Sequence, residues 1–243
     1  MELASPSPLL TPKDHAMNLL DQPLGALARD IAGATKIFHE YALDFCCGGK
    51  HSLRDASEAA GVDGALVAAR LHALSSMAAS DERDWRAASP AELIAHLLAR
   101  YHDVHRQQLP ELIRLARRVE QVHGSHAHCP AGLADQLSAM QQALESHMQK
   151  EEQVLFPLLT SAAHVSPAAP INVLRMEHDE HGEALQRVAD LTGNLQLPAG
   201  ACNTWRALYL GLTTLREDLM QHIHLENNIL FENAAPAGIA AHA

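Results

Sequence analysis

From residue 90 onward, apolar residues recur every three or four positions along four long stretches of the chain. This spacing places the apolar side chains on one face of an α-helix. Short segments rich in Gly, Pro and Ser separate the stretches, as is typical of turns. The pattern predicts helices over residues 90–122, 131–160, 170–192 and 201–233, which would bury their apolar faces together in a four-helix bundle.

Before the bundle, the apolar pattern is shorter and is interrupted by glycines, which predicts a small helical domain over residues 21–78. Residues 79–89 are polar and are predicted to be a linker. Ser89, followed by proline and then by Glu92, is a typical start for the first bundle helix. The remaining residues, 1–20 and 234–243, are predicted to be flexible tails. The predicted fold class is therefore all-α, with the bundle spanning residues 90–233.

Composition narrows the classes of function. The formal net charge of −11 over 243 residues argues against a nucleic-acid partner, because no basic stripe is present to neutralise phosphates. No apolar run approaches the length of a membrane span, so no membrane partner is expected. Four cysteines, two of them adjacent, do not form a disulfide framework in a chain of this size. These features, with no secretory pattern at the N-terminus, favour the cytoplasm.

The bundle region contains an internal repeat of two histidine-bearing motifs. The segment from Tyr101 to His105 recurs 76 residues later, from Glu177 to His181, with the same His-Asp-x-His core. A second motif, His-x-x-x-Glu followed by Leu-Phe, begins at His147 and recurs 75 residues later. The same order at nearly the same offset predicts two related helical hairpins.

The repeated residues predict a metal site inside the bundle. In a helix, positions i and i+4 share one face, and both His-x-x-x-Glu pairs continue the apolar, core-facing stripe. A carboxylate in a core is costly unless it is paired or binds a metal. Six nitrogen and oxygen ligands suit a pair of irons; manganese or an iron–manganese pair stays open, and zinc fits less well. The predicted ligands are His102, His147, Glu151, His178, His222 and Glu226.

The other histidines are predicted to play lesser roles. By spacing, His105 and His181 face inward, as histidines that support the ligands or as satisfied members of the core. Five more are predicted to lie at the surface or in loops: His126, His128, His164, His224 and His242.

The adjacent Cys46 and Cys47 have two interpretations. They end a short helix, with Gly48 and Gly49 supplying a left-handed turn, or they form a thiol, disulfide or iron-transfer centre. Cys129 and Cys202 belong to no motif.

Taken together, these motifs resemble the iron–sulfur cluster repair di-iron proteins, the repair of iron centres family. The resemblance covers residues 21–233. It is carried by the segments Asp21–Gly25, Asp44–Lys50, Tyr101–Asp103, His147–Glu152 and His222–Asn228. It implies a hemerythrin-like bundle in which the six predicted ligands bind two irons, with Glu151 and Glu226 as bridging carboxylates. True hemerythrins are also similar, but their last motif is spaced one residue wider.

The resemblance further implies a cytoplasmic stress-response protein that repairs oxidatively or nitrosatively damaged iron–sulfur clusters by binding NO, by donating iron, or by both. Damaged iron–sulfur proteins would be its clients, and a homodimer is compatible with the family. Two alternatives stay open: a module that binds or senses O₂ or NO, and a di-iron NO reductase or peroxidase. The sequence shows no feature that decides whether the protein is an enzyme.

Overall fold

The computed structural model describes residues 19–76, 84–161 and 165–234. Most of both predicted tails and residues 79–83 of the predicted linker lie outside these ranges. Contacts divide the chain into two units, Met1–Arg83 and Asp84–Ala243. The described residues form helices and no strand; one isolated β-bridge joins Pro23 to Ser52. None of the described helices combines the length and apolar character needed to cross a membrane.

The described part of the N-terminal unit includes the helices Leu24–Asp30, Ala34–Glu40, Leu53–Ala60 and Gly64–Ser76. Their apolar side chains pack with Phe45, which lies in the long loop between the second and third of these helices and is fully buried. Backbone hydrogen bonds fasten this loop to the start of the first helix, from Gly25 N to Gly49 O and from Leu24 N to His51 O. The loop is therefore part of the core of the unit.

In its described residues, the second unit is a bundle of four long helices, three of which contain a π-helical segment. The first bundle helix comprises Pro90–Leu97, the π-helical Leu98–His102 and Asp103–His123; the second comprises Leu133–Lys150, the π-helical Glu151–Leu155 and Phe156–Thr160. The third is Ala168–Leu191; the fourth comprises Asn203–Leu225, the π-helical Glu226–Leu230 and Phe231–Ala234. The four predicted spans are confirmed to within two residues at each end.

Local sequence explains where the first bundle helix begins. The Ser89 side chain accepts a hydrogen bond from Glu92 N, and the Glu92 carboxylate accepts one from Ser89 N. This reciprocal capping box confirms the predicted start and satisfies two backbone donors that would otherwise lack partners. Further along, Pro110 lies inside Asp103–His123, and the helix continues through it.

Two of the π-helical segments, Glu151–Leu155 and Glu226–Leu230, begin at a predicted carboxylate ligand, and the third, Leu98–His102, ends at a predicted histidine ligand. A π turn inserts one residue into the helical repeat and so rotates the face that follows. As a result, the second helix buries Phe156 and leaves Leu158 only half-buried, although simple helical spacing predicts Leu158 for the core.

The bundle helices pack in an arrangement that brings the two repeats together. The first helix packs against the second and the fourth, and the third packs mainly against the second. The interior is apolar along most of its length, with leucines from all four helices almost completely buried. The predicted histidines and glutamates interrupt this apolar core at one level.

Candidate metal centre

The six predicted ligands converge in the bundle interior, and all are buried. Their donor atoms form two groups, each held within 4.8 Å. One group contains His102 and His222, and the other contains His147 and His178. Both groups include Glu151 and Glu226. Two clusters of donors that share two carboxylates are the arrangement expected around two neighbouring cations.

Each group takes its histidines from both repeats. His102 and His222 come from the first and fourth helices, whereas His147 and His178 come from the second and third. Hairpin geometry alone would pair His102 with His147. The site is instead built across the interface between the two hairpins, so neither hairpin forms half of it alone.

The donor atoms approach one another closely. His147 Nε2 lies 3.3 Å from a Glu151 oxygen, and His102 Nε2 lies 3.4 Å from the other. Around Glu226, His178 Nε2 and His222 Nε2 lie 3.1 and 3.2 Å from its two oxygens. Each carboxylate thus presents one oxygen to each group.

The ring nitrogens of His147 and His178 show why a cation fits this site. Their Nε2 atoms are 3.0 Å apart. Each Nδ1 faces an acceptor oxygen, Glu177 Oε2 or Asn227 Oδ1, at 3.0 Å. When each Nδ1 carries its proton, both Nε2 lone pairs point toward the same space, and a cation between them removes the repulsion.

Donors without hydrogen bonds reinforce this fit. Within the described part of the chain, both oxygens of Glu151, Oε2 of Glu226 and Nε2 of His102 are buried and make no hydrogen bond. Their close contacts include other predicted ligands at 3.1 to 3.4 Å. Burying such atoms without a hydrogen bond is costly, and metal coordination is a common way to offset the cost. The residues present therefore fit a metal ion.

The charges in the site also favour a bound cation. Burial works against protonation of His147, but the carboxylates of Glu151 and Glu226 outweigh it and raise its pKa to about 9. Burial likewise opposes ionisation of Glu226, yet His222 and His178 hold the pKa of that carboxyl well below its usual range. Two buried carboxylates thus stay negative and attract positive charge, which protons on histidine or metal ions can supply.

Comparison with known proteins agrees with this site. Residues 93–234 match the hemerythrin HHE cation binding domain, and residues 20–75 match a domain of unknown function, DUF542. The chain is 50% identical to the iron-sulfur cluster repair protein YtfE of Pectobacterium atrosepticum over 88% of its own length and 96% of the relative's. The chain belongs to the iron–sulfur cluster repair protein family. Relatives with the same name in Dickeya chrysanthemi and Yersinia pseudotuberculosis serotype IB are 47% and 48% identical, over 90% of this chain and 98% of theirs.

In this member of the iron–sulfur cluster repair family, three residues outside the predicted set hold three of the four predicted histidine ligands in place. Glu152 Oε1 lies 2.8 Å from His102 Nδ1 and also pairs with Arg106. Glu177 Oε2 lies 3.0 Å from His147 Nδ1, and Asn227 Oδ1 lies 3.0 Å from His178 Nδ1. Sequence reasoning missed these roles, although the repeat contained a signal for them: Glu152 and Asn227 each directly follow a predicted carboxylate ligand.

His105 and His181 are buried, as their spacing predicts, but they are not satisfied by hydrogen bonds. Both ring nitrogens of His105 and Nε2 of His181 make no hydrogen bond within the described residues. Burial lowers the pKa of His181 to about 3, with the nearby His147 as the next cause. Burial, followed by the charge of His222, also puts the pKa of His105 well below its ordinary value. Both imidazoles are therefore neutral near pH 7.

One of the five surface predictions is wrong. His224 is only 2% exposed, and its Nδ1 lies 2.9 Å from the Asn228 amide nitrogen. It is buried because the whole fourth helix is enclosed at this level, where predicted ligands and core residues occupy consecutive positions. His126 and His128 are exposed as predicted, while His164 and His242 lie outside the described residues.

The helix-ending interpretation of Cys46 and Cys47 is wrong. Both lie in the loop between Glu40 and Leu53, and Gly48 and Gly49 have no left-handed backbone. Instead, a Cβ at Gly49 would lie 2.7 Å from the Phe45 carbonyl oxygen and 3.2 Å from the Gly25 Cα. Glycine is needed there because the loop packs directly on the helix Leu24–Asp30.

The Asp44 carboxylate organises the cysteine pair. It accepts hydrogen bonds from the backbone nitrogens of Cys46, Cys47 and Gly48 at 2.9 to 3.1 Å. The two Sγ atoms are 3.6 Å apart, and Cys46 Sγ lies 3.2 Å from Asp44 Oδ1. The hydrogen bond with Cys47, together with burial, raises the pKa of the Cys46 thiol well above its usual range. Cys46 therefore carries a proton at neutral pH while Cys47 is the more accessible sulfur.

Proposed function

We propose that this protein repairs damaged iron–sulfur clusters with a centre of two irons held by His102, His147, Glu151, His178, His222 and Glu226. The observation that carries the proposal is the pair of donor groups that share both carboxylates. The membership of the chain in the repair family supports the activity. Damaged iron–sulfur proteins are the clients, and the cytoplasm, where thiols stay reduced, is the compartment.

The donor chemistry supports iron. Each position would have two imidazole nitrogens and one oxygen from each bridging carboxylate, and no thiolate takes part. Such a set, with coordination positions left over, suits a non-haem iron pair. When bound, the irons would supply a redox-active centre with room for a small ligand such as NO or O₂, and a source of iron for a client.

The protein's own residues orient the histidine rings and keep water out of the site. The carboxylate of Glu177 accepts a hydrogen bond from Nδ1–H of His147, and the amide oxygen of Asn227 accepts one from Nδ1–H of His178, so that each Nε2 lone pair points inward. The apolar residues around this level, among them Phe156 and Phe231, exclude bulk water. A dry interior strengthens the attraction between the carboxylates and a cation.

Cys46 and Cys47 are proposed to act in the repair step and not in assembling the iron pair. Both thiols lie in the N-terminal unit, whereas every predicted iron ligand lies after residue 84. Thiols are soft ligands that suit iron–sulfur chemistry and disulfide exchange. The Asp44 hydrogen bonds hold the two sulfurs side by side, as either task requires.

The test combines iron content with repair. After anaerobic loading, wild type should hold close to two irons per chain and reactivate an iron–sulfur dehydratase that NO has inactivated. Glu151→Ala with Glu226→Ala should abolish both properties. Cys46→Ser with Cys47→Ser should keep both irons and lose reactivation, while His126→Ala, at an exposed position, should change neither.

Several outcomes would contradict the proposal. One tightly held zinc, with no iron after loading, would exclude the iron pair. Full reactivation by the double cysteine variant would remove the thiols from the repair step. Steady conversion of NO to nitrous oxide without reactivation of the dehydratase would identify an NO reductase instead.

A further inference from the structure

The two halves of the metal centre can be compared position by position, because the repeat relates them. His102 corresponds to His178, and His147 corresponds to His222. The same offsets relate the neighbouring residues: Glu152 corresponds to Asn227, and Tyr101 corresponds to Glu177. Any difference between the halves therefore comes from specific substitutions at equivalent positions.

Three of the four histidines have an oxygen acceptor at Nδ1. The acceptors lie at 2.8 Å for His102 and at 3.0 Å for His147 and His178. Two of these acceptors are themselves fixed by cations, since Glu152 pairs with Arg106 and Glu177 pairs with Lys150. Acceptors of this kind fix the tautomer and the ring orientation of a ligating histidine and make its Nε2 more basic.

His222 is the exception. Its side chain is buried, yet its Nδ1 makes no hydrogen bond to any residue that the structure describes. The ring of Tyr101 stacks on it, with a centroid separation of 5.3 Å and an interplanar angle of 5°. An imidazole N–H lies in the plane of its ring, so a parallel ring above that plane cannot accept its hydrogen bond. Tyr101 occupies the position at which Glu177 supplies the acceptor in the other half.

We propose that the two metal positions are unequal, and that the position formed by His102 and His222 binds its ion less tightly and releases it first. The inference rests on the proposed iron pair and identifies which of its two irons is released first. Loss of an oriented partner on a ligating histidine typically costs about 10- to 100-fold in metal affinity. The position formed by His147 and His178, with acceptors on both rings, would keep its ion.

The experiment follows iron release from the full-length protein. Protein loaded with two irons is mixed anaerobically with excess ferrous chelator, and the coloured complex is recorded over time. Wild type should release one iron per chain in a fast phase and one in a slow phase, with rates that differ by roughly 10- to 100-fold. The affinities of two Co²⁺ ions, measured by titration, should differ in the same sense.

Variants at the equivalent positions Tyr101 and Glu177 show which metal position gives rise to each phase of iron release. Glu177→Leu removes the acceptor of His147 and should speed the slow phase while leaving the fast phase unchanged. Tyr101→Gln offers His222 an amide oxygen and should slow the fast phase. Tyr101→Phe keeps the stacked ring, and Glu183→Leu alters an exposed carboxylate of the same helix as Glu177, so neither should change the release.

The possible results distinguish failure of the proposed iron pair from failure of the proposed inequality between its two positions. Failure to bind any iron or cobalt would overturn the proposed function itself. Two bound ions that leave in a single phase would overturn only the inequality. Acceleration of the fast phase by Glu177→Leu would place the labile ion at the other position and would equally overturn the inference. Should Tyr101→Gln fail to fold, the Glu177 variant and the cobalt titration still decide the question.

Discussion

Among single residues, Cys202 has an environment that changes its chemistry, although it belongs to no sequence motif. It occupies the N-cap position of the helix Asn203–Leu225, and its Sγ lies 3.2 Å from His123 Nε2. Backbone N–H groups at the helix start, chiefly that of Trp205, and then the His123 side chain lower the pKa of this thiol to about 7. Both effects favour the thiolate.

We therefore expect Cys202 to be the thiol whose reactivity rises through neutral pH. Its alkylation rate should increase with a midpoint near pH 7, because the thiolate forms as the pH passes the lowered pKa. His123→Ala removes one of the stabilising contacts and should move the midpoint upward. Mass spectrometry of each cysteine after timed iodoacetamide treatment measures this, with Cys46 as the slow control because its pKa is raised. An unchanged midpoint in His123→Ala would contradict the assignment.

The expected reactivity of Cys202 affects how the redox behaviour of Cys46 and Cys47 should be measured. Any assay that follows total thiol oxidation will include Cys202, which lies far from Cys46 and Cys47 in sequence and belongs to the other unit. A Cys202→Ser background is therefore the appropriate one for measuring the redox behaviour of the pair.

At the scale of elements, the cysteine loop depends on a close backbone contact. The loop carries Asp44 and both thiols and packs against the helix Leu24–Asp30 through Gly49 and Gly25. A methyl group at residue 49 would press on backbone atoms, which cannot move aside as a flexible side chain can.

We expect Gly49→Ala to destabilise the N-terminal unit by about 1–3 kcal/mol, the usual cost of overpacking a well-packed site. Urea unfolding, monitored by hydrogen exchange of the helix Leu24–Asp30, measures the effect. Gly61→Asn is the matched control: the space around Gly61 is open, and asparagine tolerates its left-handed backbone. Iron content should stay at the wild-type value in both variants. A loss of iron in Gly49→Ala would mean that the loop supports the metal centre.

At the scale of the whole molecule, all six predicted ligands lie in the unit Asp84–Ala243. Metal binding should therefore stabilise one unit of the protein and not the other. A ligand that binds only the folded state adds roughly 2.7 kcal/mol of stability when its free concentration is a hundred times the dissociation constant.

We expect anaerobic calorimetry to show two transitions, of which iron raises only that of the bundle, by roughly 5–10 °C for a unit of this size. Glu151→Gln together with Glu226→Gln should abolish this shift, because amides cannot supply the negative charge that draws in the cation. The transition of the N-terminal unit serves as the internal control. A rise of equal size in both transitions would show that the units unfold together.

The sequence by itself determined the features of this protein that depend on local periodicity. The four long helices follow from apolar spacing. Four of the six buried donors follow from the two His-x-x-x-Glu pairs on the core-facing stripe, because residues four apart on a helix share a face. The other two, His102 and His178, follow from the repeated His-Asp-x-His motif. The internal repeat also predicted that the two helical hairpins contribute equivalent residues to the metal site. These inferences hold because a helix of known register fixes its own side-chain directions.

Only the tertiary structure decided which donors meet. His102 joins His222 across the hairpin interface, and Glu177 and Asn227 become partners of His147 and His178, because helices that are distant in sequence pack side by side. The π-helical turns shift the register after each carboxylate, which no simple period predicts. His224 is buried because other helices cover it, and such coverage depends on the packing of helices that are distant in sequence. Spacing along one helix contains no information about contacts of this kind.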